Sequence, residues 1–112
     1  MTLREKQSLF AELVPGLIEF AVESGYQVTF GEAYRSPEEA ARLAKLGLGI
    51  AKSLHTVRLA IDLNLFKDGR YLSSNKAHQP LGEFWELLHP LCRWGGRFGD
   101  GNHYSLAHDG RA

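Results

Sequence analysis

The sequence predicts an α+β domain, a small and mainly antiparallel sheet with flanking helices. Helical periodicity and strand alternation follow one another as α-β-α-β-α-β. The strand-like runs are short, and the connections between them are hairpin-like. At 112 residues the chain makes one domain, spanning positions 1–112, with a thin core that removes roughly two-thirds of the unfolded surface from water.

Each element has its own signal. Thr2 and Glu5 form a capping box, and Leu3, Phe10, Leu13, Leu17, Phe20 and Ala21 recur at helical spacing. Pro15 lacks a donor and crowds the preceding turn, which predicts a kinked or divided helix. Gly25 closes it. Tyr26 to Ala33 is rich in β-formers, with Tyr26, Val28 and Phe30 sharing a face. Ser36-Pro37-Glu38-Glu39 offers an N-cap, Pro at N1 and Glu at N3, and opens a second helix that ends near Gly47. Gly47 to Leu54 reads as loop. Leu59 to Phe66 reads as a strand, with Ile61, Leu63 and Leu65 towards a core and Ala60, Asp62 and Asn64 away from it. Lys67-Asp68-Gly69-Arg70 is a turn that leads to a short strand at Tyr71. Pro80 to Cys92 reads as the third helix, with Phe84, Leu87, Leu88 and Leu91 as its buried stripe and Pro90 at its end. Trp94-Gly95-Gly96 reads as a turn and Asn102 to Ala107 as the last strand. The residues after Ala107 are expected to be disordered.

Composition excludes several classes of function. Thirteen basic residues balance thirteen acidic ones, which argues against a nucleic-acid partner held by phosphate neutralisation. No run approaches the ~20 apolar residues of a membrane span. The start, with Arg4, Glu5 and Lys6, lacks the apolar core of a signal peptide. Cys92 is the only cysteine, so neither an intrachain disulfide nor a cysteine-based zinc site can form. A monomer is the simplest expectation.

The chemistry concentrates in two segments, Ser53 to Asp62 and Asp100 to His103. Asp62 stands in an otherwise apolar strand, where a carboxylate needs a partner, either a metal or a structural cation. His55 ends the preceding loop and His103 opens the last strand. If the two strands are neighbours, two imidazoles and one carboxylate converge as zinc ligands and leave a fourth position open. A zinc ion so held lowers the pKa of water to about 7. Asp100, three residues before His103, is placed to take that water's proton, although Asp100-Gly101 is also ordinary turn chemistry.

These segments resemble a known family. Ser53-x-His55-x-x-x-x-Ala60-x-Asp62 is similar to the first zinc motif of the M15 metallopeptidases, the D-alanyl-D-alanine carboxypeptidases and dipeptidases and the phage L-alanoyl-D-glutamate endolysins. Trp94-Gly95-Gly96-Arg97-Phe98 followed by Asp100-Gly101-Asn102-His103-Tyr104 resembles the second motif, and Tyr34-Arg35-Ser36-x-x-Glu39 the upstream arginine motif. The resemblance implies a fold shared with the zinc domain of hedgehog proteins. It implies Zn2+ held by His55, Asp62 and His103, with Asp100 as general base. Arg35 would bind the substrate and stabilise the oxyanion, and Ser53 would orient a ligand or the substrate, or cap the loop. The implied substrate is the stem peptide of bacterial peptidoglycan. The size, and a start without a leader, are similar to single-domain phage endolysins, which are made in the host cytoplasm and reach the wall through a holin. A D-Ala-D-Ala carboxypeptidase and a non-catalytic zinc-containing recognition domain are the alternatives.

Two positions depart from the pattern. Arg58 stands where many relatives carry Gly, which predicts ordinary backbone angles and an altered loop. Ser105 follows Tyr104 where relatives often have Glu, so a carboxylate near the metal is missing or supplied from elsewhere. His78, His89 and His108 fall outside the motifs and are not expected as ligands; His89 lies near a helix end, where a charged ring meets the dipole. Trp85 reads as core or pocket wall, and Trp94 as a candidate for the cleft lining. Gly95 and Gly96 suit close backbone approach or positive φ.

Overall fold

The computed structural model describes Met1–Ala112. Helix α1 spans Leu3–Glu23, with Thr2 and Glu5 satisfying each other's backbone donors. Pro15 does not divide it. Phe10, Leu17 and Ala21 anchor the helix in the core on both sides of the proline, and that burial outweighs one lost backbone bond. At the C-terminus Gly25 takes φ 92°, the Gly25 N–H bonds to Val22 O, and the Tyr26 N–H bonds to Ala21 O. This is a Schellman ending. Helix α2 spans Pro37–Lys45, capped by the Ser36 hydroxyl, which accepts from the Glu39 N–H.

Strands β1 (Gln27–Phe30), β2 (Ala60–Lys67), β3 (Arg70–Leu72), β4 (Cys92–Trp94) and β5 (His103–Leu106) form one five-stranded sheet in the order β1-β2-β5-β4, with β3 also on β2. Every pairing is antiparallel, so the predicted α+β class holds. The β2–β3 hairpin turns through Asp68 and Gly69, both at positive φ, as a type I′ turn requires. Ile61, Leu63 and Leu65 face the core as predicted. Phe30 does not follow Tyr26 and Val28 inward and is 70% exposed.

The third helix, α3, spans Asn75–Leu88 rather than Pro80 to Cys92. Ser74 caps it by accepting from the Ala77 N–H, and Pro80 lies inside it. Its buried face is His78, Leu81, Gly82 and Trp85, whereas Leu87 is 85% exposed. Pro90 lies beyond the helix, and the chain re-enters the sheet as β4. Trp85 donates to the carbonyls of Arg93 and Ser105, tying α3 to β4 and β5.

His78 is a core residue, not a ligand. A carbonyl can only accept, so Nε2–H donates to Leu72 O at 3.2 Å, and Nδ1 accepts from the Tyr104 hydroxyl at 2.8 Å. Burial pushes its pKa down. His89 Nδ1 accepts from the Leu91 N–H just beyond the end of α3. Trp94 is buried against Gly82 and Gly96 and donates to Gly101 O at 2.7 Å. It belongs to the core and does not line the cleft. Beyond Ala107, Asp109 and Gly110, both at positive φ, turn the chain so that His108 and Arg111 pair.

Candidate metal centre

Antiparallel pairing of β2 with β5 sets Asp62 directly opposite His103. Alternation puts both side chains on the face away from Ile61 and Tyr104, hence away from the core. His55 arrives from a short 3-10 turn, Leu54–Val57, capped by Ser53, whose hydroxyl accepts from the His55 N–H at 3.2 Å. The ligand-capable atoms of His55, Asp62 and His103 all lie within 4.8 Å of one another.

The tautomer of His55 follows from its partner. Nδ1 lies 3.1 Å from the Ala33 carbonyl and must donate to it, so Nε2 is the nitrogen turned towards Asp62. His55 Nε2 and His103 Nδ1 each lie 3.3 Å from the same oxygen, Asp62 Oδ1. His103 Nε2 is buried without a protein partner. Burial works against the charge of Asp62, but the bonds from His103 and His55 outweigh it and bring the pKa down to about 2. Burial likewise disfavours His55 cation, yet Asp62 and the Ala33 carbonyl leave its pKa raised.

Two interpretations of the cluster predict different distances. A charge-assisted N–H···O bond runs about 2.7–2.9 Å. Two donors at about 2.0–2.1 Å from a tetrahedral zinc stand about 3.3–3.4 Å apart. Both observed edges match the second value, and the donor set is one that zinc accepts. The residues present fit the ion.

Around this cluster lies a cleft of about 410 Å³ lined by Arg35, Leu48, Gly49, Ile50, Lys52, Ser53, Phe98, Asp100 and Arg111 as well as the three clustered residues. Asp100 is 54% exposed, with Oδ2 3.9 Å from His103 Nδ1. The Arg35 N–H bonds to His55 O, which fixes the arginine beside the His55 turn. Its guanidinium pairs with Glu32, and its Nε is buried with no partner.

Solved structures similar to this chain include two peptidases. A Serratia marcescens L-Ala D-Glu endopeptidase, ChiX, gives a TM-score of 0.70 at 19% identity, covering 87% of this chain and 79% of its own. A vancomycin-resistance D,D-pentapeptidase, VanY, solved as a mutant in complex with Zn(II), gives 0.57 at 16% identity, covering 88% and 71%. The likeness shows the fold. No family model and no curated protein matches the sequence.

The structure also resolves the two departures. Arg58 does not take ordinary backbone angles; it holds φ 56° and ψ 37° at the end of the His55 turn. A residue there must be left-handed whatever its side chain, and the guanidinium finds its place over the Tyr34 ring, 3.9 Å from the centroid. Ser105 is buried with its hydroxyl unpartnered. A carboxylate near the cluster comes instead from Glu32, 3.9 Å from His55 Nδ1. Sequence reasoning missed Glu32 and Arg111. Nothing local marks Glu32, whereas the Asp109-Gly110 dipeptide signals the turn that brings Arg111 back.

Proposed function

We propose that this chain is a zinc-dependent peptidase that hydrolyses an amide in the stem peptide of bacterial peptidoglycan, with His55, Asp62 and His103 as ligands. The observation that carries the proposal is the pair of 3.3 Å edges meeting at Asp62 Oδ1. A zinc ion held there supplies a Lewis acid with an open position, chemistry that acidifies water to a pKa near 7 and polarises a carbonyl.

The chain's own residues supply the rest. Asp100 takes the proton of the attacking water and returns it to the departing amine. Its exposure on the cleft side keeps it free to do so. Arg35, steadied by Glu32, retains a buried donor with no protein partner, suited to the substrate carbonyl and to the charge that grows on it. Ser53 holds the His55 turn through its backbone and lines the same cleft.

The bond we favour is L-Ala–D-Glu, cut by a phage or prophage endolysin that leaves the host cytoplasm through a holin. The sequence motifs and the higher TM-score of the endopeptidase support it. Trimming of terminal D-Ala is the second reading, supported by the likeness to VanY. Incubation with purified peptidoglycan, followed by turbidity and mass spectrometry, separates them. Turbidity loss with cleavage between L-Ala and D-Glu supports lysis, and free D-Ala supports trimming. Hydrolysis indifferent to both a chelator and Asp100→Ala would sink the zinc peptidase, and zinc binding without hydrolysis would leave a recognition domain.

A further inference from the structure

We infer that the open sheet face beside the metal cluster, made by Gln27, Thr29, Asn64, Phe66 and Tyr71, binds the neutral glycan strand from which the stem peptide hangs. The inference rests on the peptidase reading and deepens it by adding a carbohydrate site outside the cleft.

Strand register builds this face. Successive residues of a strand alternate between faces, and directly opposed residues share one. Asp62 stands opposite His103, so Asn64 and Phe66 lie on the metal side of β2. Thr29 is opposite Asn64. Phe66 has Gln27 on one flank and Tyr71 on the other. The face therefore runs in three rows: Asp62 with His103, then Asn64 with Thr29, then Phe66 between Gln27 and Tyr71. Rows two residues apart are about 6.6 Å apart, which sets the aromatic row roughly 13 Å from the ligands. Ile61, Leu63 and Leu65 turn the other way and are buried in the core. Gln27, Thr29 and Tyr71 are exposed, and Asn64 and Phe66 are half-buried.

The chemistry of the face selects its occupant. All five side chains are uncharged, in a chain with thirteen acidic and thirteen basic residues. Lys67 turns to the opposite face and lies over the Tyr26 ring. A neutral surface of two amides, a hydroxyl and two rings has nothing to offer a phosphate or a carboxylate. A sugar ring suits it. The C–H groups on one side of a pyranose pack on an aromatic ring, and its hydroxyl and acetamido groups bond amides as donors and acceptors. The Phe66 and Tyr71 rings lie 5.3 Å apart and are inclined at 47°, so they offer two surfaces rather than one closed stack. The span also matches. An extended chain covers about 3.5 Å per residue. L-Ala and its linker to the sugar amount to about two residues, roughly 7 Å. With the L-Ala–D-Glu amide at the metal, the first sugar falls on the Asn64 row and its neighbour on the Phe66 row. A terminal D-Ala bond lies about 10 Å farther from the sugar and carries it past both rows.

The test has a binding arm and a kinetic arm, both on the full chain. In the first, chitotetraose, a peptide-free β-1,4-linked N-acetylglucosamine oligomer, is titrated into 15N-labelled protein. The amides of Gln27, Thr29, Asn64, Phe66 and Tyr71 should shift, and Tyr71→Ala and Gln27→Ala should each weaken the binding. This arm stands even if no peptide is cut, so its outcome is separate from that of the peptidase reading. In the second, the zinc-loaded chain receives the stem peptide free or joined to its disaccharide. The glycosylated form should show a KM about tenfold lower at similar kcat, the size of one good aromatic contact. Tyr71→Ala should erase the difference between the two substrates. The inference is overturned if chitotetraose shifts no amide of this face, or if the two substrates share one KM. It is equally overturned if Tyr71→Ala melts lower yet keeps the preference, which would make Phe66 and Tyr71 a packing pair alone. Dimerisation of wild type that Tyr71→Ala abolishes would give the face to a second copy instead.

Discussion

A single residue can decide what a neighbourhood is for, and Asp100 and Arg58 do so in opposite ways. Asp100 is exposed, and its carboxylate makes no hydrogen bond. Asp100→Ala should therefore leave the melting temperature and zinc content unchanged while kcat falls by about 10²–10⁴, the range for a lost general base. A stability loss without a rate loss would assign it to the turn. Arg58 holds a left-handed backbone at a cost of roughly 1–2 kcal/mol. Glycine there removes that strain but adds about 0.5–1 kcal/mol of backbone entropy and forfeits about 0.5–1 kcal/mol of stacking on Tyr34. Arg58→Gly should be neutral within about 0.5 kcal/mol in chemical denaturation, and Arg58→Ala, which keeps the strain and loses the stacking, should be the less stable of the two. The positions of His55, Asp62 and His103 were legible because each sits in a short local pattern. Glu32 was not, since its place beside His55 and Arg35 exists only once the end of β1 lies against Asp62.

At the scale of elements, tertiary packing overrode local propensity wherever the sequence misled. Pro80 resembled a helix start, but Ser74 is the cap and packing of His78, Leu81 and Trp85 carries the helix through the proline. Leu91 and Cys92 resembled helix because a short apolar run has no period of its own; with Pro90 breaking the helix, they fall into β4 and its approach. The Asp-Gly dipeptide occurs at 68–69, 100–101 and 109–110. The first was read as a turn because strands flank it; the last lacked such flanks, yet it turns the same way. Gly82 tests this competition directly. Inside a helix Ala is ordinarily favoured over Gly by about 1 kcal/mol. A Cβ at position 82 would overlap the Trp94 ring, which is itself wedged against Gly96. Gly82→Ala should destabilise by about 1–3 kcal/mol, the cost of overpacking, and a stabilised variant would show that α3 and β4 are less tightly apposed than described.

For the whole molecule, the sheet separates a structural face from a chemical one: α1 and α3 cover Ile61, Leu63 and Tyr104, while Asp62 and His103 face the cleft. Zinc held as proposed would tie β2, β5 and the His55 turn together, and the chemical face would then govern stability as a function of pH. In the metal-free protein Asp62 drops from the ordinary 3.8 to about 2. A folded pKa below the unfolded one means stability that is present above about pH 4 and lost as pH falls towards 2, about 2 kcal/mol in all. Zinc acts in another window. Its imidazole ligands must be neutral, so protons displace it as pH falls through the histidine range. At a thousand times its dissociation constant, zinc should add about 4 kcal/mol near pH 7.5, on the order of 10–20 °C in melting temperature. At pH 4.5 it should add almost nothing. Asp62→Asn should abolish both the zinc-dependent shift and the acid limb, because one carboxylate underlies both. Calorimetry across the two pH values checks this, and a zinc shift that survives in Asp62→Asn would place the ion elsewhere on the molecule.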